Sequence, residues 1–230
     1  MRSIVVAVSG PSASGKSTTV AQLALEFGWR PVEEAYYRLS PRPRLIWGTP
    51  SGLERLERRL LEEEARRFRE VRSLARRGPP IVLDTDCLDP VEYTAGLVGA
   101  GLAQPGTFRE IVGRARALAR GRRLGVADLT VVLSVPPATR RARASADPAR
   151  HPAALRRRHE EVAQVVRRTV VPVCRGVLGP RLRVVGAEGS PKAVAGIVHR
   201  AAASVRALSD PCGTATQLLE ALLERVSPGP

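Results

Sequence analysis

Asparagine is absent from this 230-residue chain, and lysine is nearly so: Lys16 and Lys192 are the only two among 37 basic residues. Neither lysine is followed two residues on by Asp, so the Asn-Lys-x-Asp element that reads guanine in Ras-like switches is missing. Aromatic residues make up only 3% of the chain, too few for the stacking platforms that hold single-stranded nucleic acid. The three cysteines, Cys87, Cys174 and Cys212, are odd in number and far apart, which provides neither a disulfide framework nor metal-ligand spacing. No uninterrupted apolar run reaches about 18 residues, and the N-terminus enters a strand-like run without a signal peptide's charged and apolar regions. The expectation is a soluble, cytoplasmic protein with no membrane partner. Internal repeats and long low-complexity segments are also lacking.

The formal charge of +15 ordinarily points to an acidic partner. Here nearly all of it is arginine dispersed among acids, as between Leu53 and Phe68, where opposite charges at helical spacing read as a solvated helix. Nucleic acid is therefore not an expected partner.

What the chain does contain is a strand followed by a phosphate-binding loop. Ile4 to Val8 is a buried-strand run, and Gly10-Pro-Ser-Ala-Ser-Gly-Lys-Ser17 follows directly. In such a loop Gly10, Ser12, Ala13, Ser14 and Gly15 turn backbone N–H groups inward around phosphate oxygens. Lys16 reaches the β- and γ-phosphates, Ser17 can hold Mg²⁺, and Thr18 continues into a helix whose N-terminus favours the anion. ATP and Mg²⁺ are the expected cofactors.

Beyond the loop, strand and helix patterns alternate, the signature of a parallel sheet covered on both faces. Strands are expected at 29–32, 81–83, 129–135 and 182–185. Helices are expected at about 53–77, 108–120, 156–171, 192–208 and 214–225, with another opened by Pro136-Pro137. A loop rich in Pro and Arg covers 39–52, and a Gly-rich turn region runs from about Gly96 to Gly106. The expected division is a domain over 1–208 with a lid at about 138–160, then a C-terminal helical extension over 209–230.

Phosphoryl transfer needs a base or orienting group, a divalent cation and positive charge on the moving phosphoryl. Asp84 follows an apolar strand, where a carboxylate emerges beside the phosphate loop and can hold Mg²⁺. Glu33 and Glu34 end the second strand, and either can take the proton of an attacking hydroxyl. Arg143 and Arg150 belong to an arginine-rich stretch with the composition of a lid. Tyr36, Tyr37 and Trp47 can stack on a ring, while Arg38, Arg42 and Arg44 can supply a second cationic cluster.

The series of phosphate loop, carboxylate after the second strand, acidic motif after the third, Val-Pro-Pro after the fourth and arginine-rich lid resembles the nucleoside and nucleotide kinase group of P-loop proteins. Val32-Glu-Glu-Ala-Tyr-Tyr and Val82-Leu-Asp-Thr-Asp-Cys-Leu resemble segments of ribosylnicotinamide kinases. Leu133-Ser-Val-Pro-Pro and Ala154-Leu-Arg-Arg-Arg-His-Glu-Glu resemble deoxynucleoside kinases. The resemblance implies an α/β P-loop NTPase three-layer fold, with a parallel sheet of about five strands ordered 2-3-1-4-5. It implies ATP as donor and a hydroxyl as acceptor. It also implies Lys16 and Ser17 as phosphate and Mg²⁺ ligands, Glu33 or Glu34 as base, Asp84 as the Mg²⁺-associated acid, Arg143 and Arg150 in the lid, and Asp86 as a substrate contact. Two departures weigh against nucleobase reading. Thr85 stands where the deoxynucleoside kinases carry Arg, and Glu62-Glu63-Glu64 offers no equivalent of their base-reading Gln.

The function expected is ATP-dependent phosphorylation of a small-molecule hydroxyl acceptor, nucleoside-like or a natural product such as an antibiotic. The rival enzyme is a nucleoside monophosphate or polynucleotide-end kinase. A nucleotide switch acting through a partner is the alternative of another class. A homodimer is the assembly considered.

Overall fold

The computed structural model describes residues 2–40, 50–147 and 153–227. Five strands, β1 (Val5–Ser9), β2 (Arg30–Val32), β3 (Ile81–Asp84), β4 (Leu129–Ser134) and β5 (Leu182–Gly186), form one sheet. The order is β2-β3-β1-β4-β5 and every pairing is parallel, as the resemblance implies. All five β1 residues are buried, because helices cover both faces and leave no solvent side for a polar alternation. Alternate β1 residues serve different cores: Val5 and Ala7 face one, Val6 and Val8 the other.

The helices are α1 (Lys16–Phe27), α2 (Ala35–Arg38), α3 (Pro50–Leu74), α4 (Asp89–Gly99), α5 (Pro105–Arg120), α6 (Pro137–Ala146), α7 (Ala153–Val165), α8 (Val171–Leu178), α9 (Pro191–Ala203) and α10 (Pro211–Val226). A π-helical turn, Val166–Val170, joins α7 to α8. Helices α1 and α9 pack on one face through Val20, Leu23, Val194 and Val198. The other core draws Leu61 and Phe68 from α3, Val91 from α4, Ile111 from α5 and Leu218 from α10. Thus α10, read in sequence as an extension, is built into the main core. None of the described helices is long and apolar enough to cross a membrane.

Two sequence expectations are corrected. The stretch read as a Gly-rich turn begins inside α4, which runs to Gly99. Gly96 lies where α4 meets α7: a Cβ there would come within 2.8 Å of Val162 Cγ1 and 2.7 Å of Val166 Cγ2. This glycine marks close helix approach, not a chain break. The helix expected over 156–171 is also interrupted, by the π turn, whose Val170 is buried.

Register then positions the site. Val8 pairs with both Asp84 and Val131, so β1, β3 and β4 deliver their C-terminal ends to one sheet edge. Ligands of open α/β sheets bind there.

Candidate phosphotransfer site

The phosphate loop leaves β1 at Ser9 and enters α1 at Lys16. Gly10 has φ 134°, and a Cβ there would lie 2.8 Å from the Leu133 carbonyl oxygen, so both conformation and space demand glycine. Ala13, with φ 61°, is one of three non-glycine residues in the left-handed region among those described. The loop closes through Ser14 N donating to Pro11 O at 3.2 Å. Lys16 Nζ folds back over the loop, donating to the carbonyls of Gly10 at 2.8 Å and Pro11 at 3.3 Å. Buried Ser14 Oγ has no hydrogen-bond partner among the described residues. Gly10, Ser12, Ala13, Ser14, Gly15, Lys16, Ser17 and Thr18 all line one cavity of about 1250 Å³.

Arg143, on α6, reaches across to this loop. Its guanidinium donates to Ser14 O at 3.3 Å and to Ala187 O, just past β5, at 3.0 Å. Nearby Arg140 pairs with Glu160 of α7, which ties the two arms of the expected lid together. Arg150, the other expected lid residue, lies outside the described residues, as do Arg42, Arg44 and Trp47.

The structure separates the two glutamates after β2. Glu34 lines the cavity, while Glu33 is exposed and does not. Burial pushes the Glu34 carboxyl up to about 7; the Asp89 and Asp84 charges raise it further, against Lys16 and Arg67. Tyr36 and Tyr37 follow on α2, edge to face at 5.6 Å between ring centroids, and both line the cavity. Arg38 does not. It is paired with α3, through Glu63 at 3.1 Å and Glu70 at 2.7 Å.

Asp84 ends β3 and is 7% exposed, and its Oδ1 has no hydrogen-bond partner among the described residues. Thr85 follows with φ 69°, a conformation that costs a β-branched residue energy and is held only where its surroundings enforce it. The enforcing group is Arg67 of α3, whose guanidinium is fully buried. It donates to the carbonyls of Asp84 at 2.6 Å and Thr85 at 3.1 Å and makes two bonds to Glu64, at 2.9 and 3.0 Å. Asp86 lines the cavity, yet both oxygens have protein donors: Leu88 N at 3.0 Å and Thr130 Oγ1 at 3.1 Å.

Sequence reasoning missed the acids opposite the loop. Glu57 and Glu64, taken for part of a solvated helix face, are 2% and 1% exposed and line the cavity. Asp89, Glu92 and Tyr93 of α4 line it too, just ahead of the stretch read as a Gly-rich turn. A signal existed. Glu57 and Glu64 fall on the stripe of Leu61, Phe68, Val71 and Ala75, with spacings of three and four, which is the face a helix buries. Glu34 likewise stands two residues beyond buried Val32, the side to which an extended chain returns.

The chain's likenesses agree with this fold. A family model described as an AAA domain matches residues 5–176. No curated protein matches the sequence. Among solved structures, the chain is similar to the deoxyadenosine kinase of M. mycoides with bound dATP, at 14% identity and TM-score 0.68 over 87% of this chain and 100% of that one. The same enzyme with dCMP product gives 15% identity and TM-score 0.63 over 86% and 97%. The thymidylate kinase of Candida albicans gives 13% identity and TM-score 0.57 over 90% and 99%.

Proposed function

Because the chain belongs to the AAA domain family and carries the P-loop kinase fold, we propose that it is an ATP- and Mg²⁺-dependent phosphotransferase acting on a hydroxyl of a small molecule. The acceptor class is nucleoside-like or a natural product. The observation that carries this reading is Glu34: a cavity-lining carboxyl held near 7, in the field of Lys16, at the sheet edge where the phosphate loop opens. A general base works best when its pKa lies near the working pH.

In the proposed reaction Glu34 accepts the acceptor's hydroxyl proton as that oxygen attacks the γ-phosphorus. The bond to the β-bridging oxygen breaks, its electron pair leaves with ADP, and the product is a phosphate monoester. Lys16 supplies charge to the β- and γ-phosphates, and Arg143, anchored at Ser14 O, offers a guanidinium to the charge that develops. The Ser17 hydroxyl and the Asp84 carboxylate would hold Mg²⁺, and the orphaned buried Asp84 Oδ1 fits an acid lacking a cation or a metal-bound water. When bound, Mg²⁺ neutralises phosphate charge. Arg67 fixes the backbone that aims Asp84. Asp86, with both oxygens engaged, serves the wall more than the acceptor.

The rival acceptor, a nucleoside monophosphate or polynucleotide end, needs cations on the far side of the transfer point. Of the lining residues of the described cavity, Glu57, Glu64, Asp89 and Glu92 are acidic, while its arginines are Arg140, paired with Glu160, Arg143, held at Ser14 O, and the exposed Arg167 and Arg175. Arg38 is paired with Glu63 and Glu70 of α3. The test is ADP release from ATP and Mg²⁺ across nucleosides, nucleoside monophosphates, sugars and amino-polyols. Lys16→Ala is expected to lower turnover of the responding acceptor by on the order of 10²-fold or more, with the thermal transition retained. Unchanged turnover in Lys16→Ala would overturn the reading.

A further inference from the structure

The cavity lining carries acids that the phosphotransfer chemistry does not use, Glu57 buried and Asp89 and Glu92 half-buried. Glu57, 2% exposed, lines the cavity from α3 and turns an oxygen, Oε2, that has no hydrogen-bond partner among the described residues. Asp89 and Glu92 line it from α4, three residues apart and so on one helix face. The cations nearby are engaged or peripheral. Arg67 is bound to Glu64 and to backbone carbonyls, Arg140 to Glu160, Lys16 and Arg143 to loop carbonyls, and Arg167 and Arg175, which also line the cavity, are exposed. Burying carboxylates without a cation or a full set of donors is costly. A site that keeps such a group aimed into a cavity is matched to a ligand that brings the missing charge.

Building on the phosphotransfer reading, we infer that the acceptor is itself cationic: a hydroxyl compound bearing at least one protonated amine, received by Glu57 and Asp89, with Glu92 the next acid on the same helix. A phosphorylated acceptor would meet these acids with like charge. A neutral polyol would bring no charge to favour their ionised form. The state of the acids agrees with this assignment. Burial and the Asp89 charge push Glu57 well above the usual carboxylate range. Burial raises Asp89 to about 6, against the opposing Lys16 charge. Burial, with the Asp86 and Asp89 charges, raises Glu92 to about 8. Burial thus favours the neutral form of these carboxyls when no cation is bound; a bound ammonium group favours the charged form, and any proton released passes to solvent, so charge balances. Leu56 and Leu60 line the same region and offer apolar surface to the ring or chain that carries the amine.

The experiment is calorimetric binding with matched pairs that differ only in amine against hydroxyl: 3′-amino-3′-deoxyadenosine against adenosine, and streptamine against scyllo-inositol. The full chain is titrated near neutral pH, with and without a non-hydrolysable ATP analogue and Mg²⁺. The amine member of at least one pair is expected to bind tighter by about 10- to 100-fold, the range of a hydrogen bond to a charged group. Glu57→Gln, and separately Asp89→Asn, should shrink that preference to about threefold or less. Equal binding within both pairs, no measurable binding of either amine up to millimolar concentration, or an undiminished preference in both variants overturns the inference. Failure of the kinase reading is seen separately, in the absence of binding by the ATP analogue itself.

Discussion

Two adjacent glutamates with the same chemistry have different fates because one peptide plane separates them. Glu33 points to solvent; Glu34 enters the cavity and meets Lys16, Asp89, Asp84 and Arg67 from four different elements. Burial disfavours its charged form and holds the carboxyl near 7. The base acts only when deprotonated, so kcat/KM should rise with pH through about 7 and level off above it. Glu34→Gln should lower kcat by about 10²- to 10⁴-fold, the contribution of a positioned base, and leave nucleotide affinity within about threefold. Glu33→Gln, being at an exposed carboxyl, should change kcat less than about twofold. Steady-state rates of both variants across pH test this pair of outcomes. Comparable, small losses would return Glu34 to the role of a buried structural acid.

At the scale of elements, the α4–α7 contact shows how glycine can hide a helix. Alanine in place of a helical glycine normally gains up to about 1 kcal/mol from backbone entropy. At Gly96 the added methyl would meet the stiff β-branched Val162 and Val166, and forcing such a core apart costs roughly 1–3 kcal/mol. Gly96→Ala should therefore destabilise the protein, whereas Gly113→Ala on α5, with no atom within 4 Å of the new Cβ, should stabilise it. Urea midpoints of the two variants give the comparison, and stabilisation by both would show that α4 and α7 do not pack this closely. The same ambiguity explains what was legible beforehand. The phosphate loop, Asp84 and all five strands were readable, since each rests on a local pattern: apolar runs, loop glycines, an acid at a strand end. The α4 helix was not, because Gly96 and Gly99 signal a turn and a tight interface alike. Nor were Glu57, Glu64 and Arg67, because charges at helical spacing read as solvated unless their place on the apolar stripe is weighed first. Burial of a charge depends on what the fold sets opposite, here Asp84, Thr85 and α4, and that is a long-range property.

Across the whole molecule, a strongly basic chain surrounds an acidic interior, and this sets how its stability responds to pH. In the folded state Glu34 is raised from 4.5 to about 7, Asp89 from 3.8 to about 6 and Glu92 from 4.5 to about 8. The unfolded chain returns each to its ordinary value. At about pH 3 and below both states are largely protonated and these groups favour folding in full. As pH rises through the carboxyls' unfolded values toward 8, the unfolded chain sheds its protons while the fold retains them, so the folded state is progressively penalised. A single carboxyl displaced as far as Glu34 accounts for a loss on the order of 3 kcal/mol across that window. For a chain of this size that is roughly 6–12 °C in the melting temperature. Thermal unfolding of the ligand-free protein should therefore show Tm falling between about pH 5 and pH 8, by an amount that Glu34→Gln and Glu92→Gln each reduce. Amide side chains carry no charge to shed, so the variants should lie closest to the parent at low pH and above it at high pH. A Tm that is flat or rises over this window, with the variants tracking the parent, would mean that solvent or local opening ionises the acids at little cost.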